Sequence, residues 1–165
     1  MSSSKKYLLL VFGLAVLTIG GAIGCGQPGF TTYTNDVEGY SVSYPENWVA
    51  EISKDSTIYI IKSPSRYASM RIDVIGTMSA QEAAQRWITA MGTGSLDFAL
   101  LENKPMEGFW NWYVSYDYEA DIGQYHGEAY FKSTSDHVYK LDTAGDLERY
   151  DTYPFSTIIS SFKLK

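Results

Sequence analysis

Two changes of period and one long aromatic hairpin predict an α+β domain with a mainly antiparallel sheet and two main helices. From Tyr40 to Gly76, apolar residues alternate with polar ones, the pattern of half-buried strands. From Ser79 to Met91, and again from Phe155 to Phe162, they recur at helical spacing. Between the helical stretches, Phe109 to Ser133 alternates once more, over a length that suits two paired strands. Strands, helix, strands, helix in that order place helices over the faces of an antiparallel sheet.

The first strand is Tyr40 to Tyr44, closed by Pro45 and a turn at Glu46-Asn47. Trp48 to Ile52 restarts a strand, Lys54-Asp55-Ser56 turns, and Thr57 to Ser63 returns. Pro64-Ser65 breaks the chain, and Ala68 to Gly76 follows with Met70, Ile72 and Val74 on one face. Ser79-Ala80-Gln81-Glu82 has the form of a capping box, so a helix starts there. Ala83, Ala84, Trp87, Ile88 and Met91 form its apolar stripe, and Gly92 or Gly94 stops it. Leu96 to Asn103 is another strand, ended by Lys104-Pro105.

Phe109 to Ala120 carries Trp110, Trp112, Val114, Tyr116 and Tyr118 on one face. A tight turn at Ile122-Gly123 returns the chain through Tyr125 to Ser133. That turn sets Val114 opposite Phe131, Tyr116 opposite Ala129 and Tyr118 opposite Gly127, so large residues meet small ones. His137 to Asp142 is the last strand, and Asp146 to Phe162 the second helix. Pro154 is confined to a first turn, so its regular part starts near Thr152 or Tyr153.

Everything before Cys25 has the layout of an export signal. Lys5 and Lys6 precede a run from Tyr7 to Ile23 that is apolar or small throughout. The run is at the lower edge of what spans a bilayer, so a retained anchor is the competing reading. Ala22-Ile23-Gly24-Cys25 separates the two, because it resembles the lipobox of bacterial lipoproteins. Ala22 stands where that pattern prefers Leu. The Cys thiolate is the group that attacks the lipid donor. This divides the chain into a signal at 1–24, a tether at 25–36 with its Thr-rich stretch Thr31 to Asn35, and one domain at 37–165. About ten tether residues reach about 30 Å, which keeps the domain close to the membrane.

Cys25 is the only cysteine, so no internal disulfide staples the fold. The formal charge is −6, and removing Lys5 and Lys6 makes it more negative still. That is the wrong sign for nucleic acid or an anionic lipid surface. Attachment would come from acyl chains. The location implied is extracytoplasmic, on a membrane, with a protein as partner.

The opening GYSVSYPENW (39–48), a helix after the early strands and the closing TIISSFKLK (157–165) are similar to PsbP-like proteins. That family includes an extrinsic photosystem II subunit and many bacterial lipoproteins. The resemblance implies an α/β/α sandwich around an antiparallel sheet. It implies no site residues, and this acidic chain lacks the basic character that a photosystem docking surface favours.

No triad signature, HExxH motif, phosphate loop or dinucleotide fingerprint is present, so no catalytic residue is assigned. One constellation remains, on the polar face of the hairpin. In the register above, Asp117 stands opposite Glu128 and Glu119 opposite His126, with Asp121 at the turn. Facing carboxylates repel unless offset. A bound Ca²⁺ or Mn²⁺ would offset them. Without a cation the same four residues form a solvated acidic face. Tyr113 and Tyr130 offer either a stacking patch or ordinary sheet tyrosines. The function these readings favour is a lipid-anchored, non-enzymatic binding or assembly domain. The alternative is an extracytoplasmic carrier of a metal ion or small ligand. A hydrolase is disfavoured, since no nucleophile–base pair is visible.

Overall fold

The computed structural model describes residues 29–52, 58–94 and 97–165. The signal, Cys25, the first tether residues (25–28) and the turn at 54–56 lie outside the described residues. Among the described residues, ten strands and two α-helices follow one another. They are β1 (Phe30–Asn35), β2 (Tyr40–Pro45), β3 (Val49–Ile52), β4 (Ile58–Lys62), β5 (Ala68–Ile75), α1 (Ala80–Gly94), β6 (Ala99–Pro105), β7 (Trp112–Ala120), β8 (Gly123–Ser133), β9 (Val138–Asp146), α2 (Phe155–Ser161) and β10 (Lys163–Leu164).

Seven strands form one sheet in the order β3-β4-β5-β9-β8-β7-β6, with every neighbouring pair antiparallel. Helix α1 carries the chain from β5, at the sheet's middle, to β6 at its edge, and three consecutive strands then return to β9 beside β5. A smaller antiparallel sheet, β1-β2-β10, joins the two ends of the folded chain. The expected α+β class and two main helices are present. The outer layer opposite α1 is a helix and a small sheet together.

The period explains the two cores. Val114, Tyr116, Ala129, Phe131 and Val138 face α1 and meet Ala80, Ala83 and Ala84. These alanines let the helix sit close to the sheet. Trp87, Ile88 and Met91 complete the stripe, as their spacing predicts. Ser79 Oγ accepts the Glu82 backbone N–H at 3.1 Å, the predicted cap. The other half of the capping box is replaced, because the Glu82 carboxylate takes Arg86 at 2.7 Å. On the opposite face, Met70, Ile72 and Leu141 meet Tyr40 and Val42 of the small sheet, and Phe155, Ile158 and Phe162 around α2. Strand β9 is covered on both sides, so its polar residues need partners. Lys140, 3% exposed, reaches Asp73 at 2.7 Å and lies 5.1 Å from the centre of the Trp87 ring.

Four sequence expectations change. Thr31 to Asn35, read as tether, lies within β1 and pairs with β2 from Thr31↔Tyr44 to Asn35↔Tyr40. Trp110 leaves the face of Trp112, because the chain bends at Asn111, between the two, before β7 begins, and Trp110 enters the core beside α2. Strand β9 runs on to Asp146, so α2 begins only at Phe155, behind a 3₁₀ turn at Tyr150–Thr152.

The hairpin register also shifts by two residues. Asp121-Ile122 makes the turn, Ala120 pairs with Gly123, Val114 with Ala129 and Tyr116 with Gly127. The cause is packing. A Cβ on Gly127 would lie 2.3 Å from the Tyr116 ring. Gly127, a strand position without a side chain, therefore receives the ring that α1 presses on from above, with Trp87 at 4.9 Å.

Two predictions follow from this packing. Gly127→Ala should cost about 1–3 kcal/mol in urea melts, since Tyr116 has no free space to retreat into. A loss below about 0.5 kcal/mol, the range of surface changes, would contradict the register. The second concerns alkali. Burial raises Tyr40 and Tyr118 from 10.0 to about 12, with the Asp142 charge adding to the effect at Tyr118. A raised folded pKa stabilises fully below the unfolded value and is lost as pH rises through the folded one. Stability should therefore hold up to about pH 10 and fall between 10 and 12. A late class of tyrosinate absorbance should appear together with loss of circular dichroism. Complete tyrosine titration near pH 10 in a still-folded protein would refute this.

Candidate functional site

The period of two places Tyr113, Ser115, Asp117 and Glu119 on the face of β7 turned away from α1. On β8 the same face carries His126, Glu128 and Tyr130, and on β9 it carries Thr143 and Gly145. The 3₁₀ turn and α2 lie over this face and bring Tyr150, Tyr153 and Phe155 down on it. Gly145 makes room for them, since a Cβ there would meet the Tyr153 ring at 2.9 Å and Phe155 at 3.3 Å.

The four residues singled out from the sequence do not gather into one site. Asp117 stands opposite His126, and its Oδ1 lies 2.7 Å from His126 Nδ1. Glu119 pairs with Gln124 and is exposed. Glu128 stands opposite Ser115, so the expected opposition of Asp117 and Glu128 is absent. The shift of two residues keeps each side chain on its expected face and changes only its partner. A carboxylate–histidine pair replaces the repelling carboxylates. Among the described residues, no three His, Cys, Asp or Glu side chains are grouped as a metal ion would need.

Glu128 has a different setting. The Tyr113 hydroxyl donates to its Oε1 and the Tyr130 hydroxyl to its Oε2, each at 2.8 Å. The two rings lie 5.2 Å apart. Burial, then the Glu128 interaction, raises both tyrosines well above their ordinary value. Burial does the same to Tyr150, whose hydroxyl pairs with Thr143 Oγ1 at 2.8 Å and whose ring meets His126 edge-on at 4.5 Å. At neutral pH these phenols are therefore donors, and they hold Glu128 as a fixed acceptor.

This acceptor opens into a groove along α2. The narrower end, about 220 Å³, is bordered by Glu128, Tyr130, Tyr150 and Asp151. Past Tyr130, Ser156 and Ile159, which border both parts, the groove widens to about 520 Å³. Met106, Phe109, Trp110 and Phe162 line the wide end. Trp110 lies 5.1 Å from Phe162 and 5.7 Å from Tyr130, so the rings form one continuous wall. Phe109 is 43% exposed at its rim. The arrangement suits holding an elongated group that is apolar at one end and a hydrogen-bond donor at the other. Sequence reading found Tyr113, Tyr130 and Glu128. It missed Tyr150, which lay inside a stretch read as helix, and Trp110, which was placed on the opposite face. The only local signal for them was the density of aromatic residues.

No family model matches the chain, and no curated protein does. Solved structures match in fold. The solution structure of cyanobacterial PsbP (CyanoP) from Synechocystis sp. PCC 6803 is 18% identical, with a TM-score of 0.64, over 89% of this chain and 99% of that one. The Ran-binding protein Mog1p of Saccharomyces cerevisiae is 10% identical, with a TM-score of 0.57, over 83% of this chain and 96% of that one. LpqN of Mycobacterium tuberculosis, described as involved in cell envelope biogenesis, is 11% identical, with a TM-score of 0.55, over 83% of this chain and 91% of that one. At such identities the likeness is one of fold. The chain has the PsbP-like α+β fold.

Proposed function

We propose that this chain is a lipoprotein, held outside the cytoplasm by an acylated Cys25, whose PsbP-like domain docks a protein partner without catalysing a reaction. The observation that carries the docking reading is the open aromatic groove beside α2, with Phe109 exposed on its rim. A concave, mostly apolar groove with a few convergent polar groups is the usual form of a binding site. Folds shared with a Ran-binding protein and with an envelope-biogenesis protein support the reading by analogy alone. The anchor rests on Lys5-Lys6, the apolar run to Ile23 and the Gly24-Cys25 junction. Since Gly29 already accepts the Glu46 backbone N–H, the tether shortens to residues 25–28, a reach of about 13 Å. The domain then works against the membrane surface.

Expression of the full chain in a bacterium with intact export tests both halves. Intact mass should show an acylated Cys25 without residues 1–24, and Cys25→Ala should leave the unprocessed precursor. Retention of residues 1–24 on an unmodified Cys25 would remove the anchor. Acylated protein recovered from membranes should carry a stoichiometric protein partner. A co-purifying metabolite in place of a protein would instead favour the small-ligand carrier.

A further inference from the structure

The groove is chemically polarised. Glu128 and Asp151 border its narrow end, and no lysine or arginine borders either part among the described residues. Lys132 lies nearby, over the Phe109 ring at 5.2 Å, on the rim of the wide end. Each oxygen of Glu128 receives one tyrosine hydroxyl. A carboxylate has about four acceptor directions, and the Tyr150 hydroxyl also reaches this one, so at least one direction remains for a bound donor. Aromatic rings flank it, and their faces attract cations. Beyond Tyr130 the wall is Trp110, Phe162 and Ile159, which attracts apolar side chains.

We propose that this groove docks an extended segment of a partner protein, with a lysine or arginine on Glu128 and an apolar side chain against Trp110 and Phe162. The proposal rests on the docking reading and adds the partner's chemistry. Charge complementarity selects the occupant. An anionic lipid headgroup would meet Glu128 and Asp151 and be repelled. A cationic side chain on a peptide satisfies both ends of the groove at once. Arginine fits better than lysine, because its planar fork can reach both carboxylate oxygens and stack on Tyr130.

The test uses the acylated full chain in phosphatidylcholine nanodiscs. The probe is a fluorescein-labelled peptide of alternating leucine and arginine, followed by anisotropy. It should bind saturably, and the same peptide with glutamate for arginine should not. Glu128→Gln should weaken binding about tenfold, the scale of one lost charge-assisted hydrogen bond. Ser156→Arg changes an exposed residue on the groove wall and should weaken binding comparably, so the result does not hang on one variant's folding. Glu119→Gln, an exposed acid outside the groove, should leave the affinity unchanged. Equal losses in the Glu119 and Glu128 variants would mean diffuse charge attraction and overturn the proposal. So would undiminished binding by both groove variants. Displacement by argininamide at the peptide's own potency would reassign the groove to a small cation. If the wild type captures a membrane partner that both groove variants still capture, this inference falls and the docking reading stands. If the wild type captures none, the docking reading falls and takes the inference with it.

Discussion

The seating of Tyr116 on Gly127 sets the arrangement of everything around it. The ring occupies the space a side chain on Gly127 would need, and α1 closes over it through Trp87. Phe98 packs beside it at 5.6 Å, and its hydroxyl donates to Asp142 at 2.7 Å. Moving the hairpin by one rung pair would bring a different residue under the ring and break this fit. Because strand registers move as units, the same contact decides partners on the other face. Asp117 meets His126, and Glu128 is left to the tyrosines.

Covering the central sheet on both faces has a cost that the polar residues of β9 reveal. Burial raises the Asp142 carboxyl, and the neighbouring Lys140 charge and Tyr116 hydroxyl oppose the rise. Lys140 is in turn held by Asp73 and the Trp87 ring. Thr143, fully buried, donates to the Glu128 backbone carbonyl at 3.2 Å and pairs with Tyr150. Removing one partner from such a set strands a charge or a donor, which is costlier than never having buried the group. In the polar network on the α1 side Lys140 is buried, while Asp73 and Asp142 are largely covered and Asp73 also meets the exposed Arg71. The network on the α2 side borders a groove and leaves Glu128 at its edge.

The small sheet ties the two ends of the domain together. Strand β2 pairs with β1 on one side and with Lys163 and Leu164 on the other. Lys165 adds an ion pair to Asp36 and donates its backbone N–H to Gly39. Ser161 Oγ donates to the Ile158 carbonyl at 2.6 Å and accepts the Ser43 N–H at 2.8 Å, which fixes the end of α2. One wall of the groove is therefore positioned by contacts between residues 118 positions apart.

Local periodicity made most elements legible. Alternation over Ala68 to Ile75, helical spacing over Ala83 to Met91 and the Ser79 cap depend on neighbours a few residues away, and each held. The polar face bearing Tyr113, Asp117, His126 and Glu128 was legible too, because side-chain direction follows from the period alone. The register was not. A shift of two residues leaves every apolar residue on the same face, so the hydrophobic pattern cannot tell Tyr116 over Gly127 from Tyr118 over Gly127. That choice belongs to the volume α1 leaves above the sheet. The Thr-rich stretch became β1 only because β2 offered an edge, and Trp110 changed sides because the chain bends at Asn111, before β7 starts. Sequence by itself determined which residues lie on which surface. Tertiary packing decided which of them meet, since the shape of a site depends on volumes contributed by segments far apart in the chain.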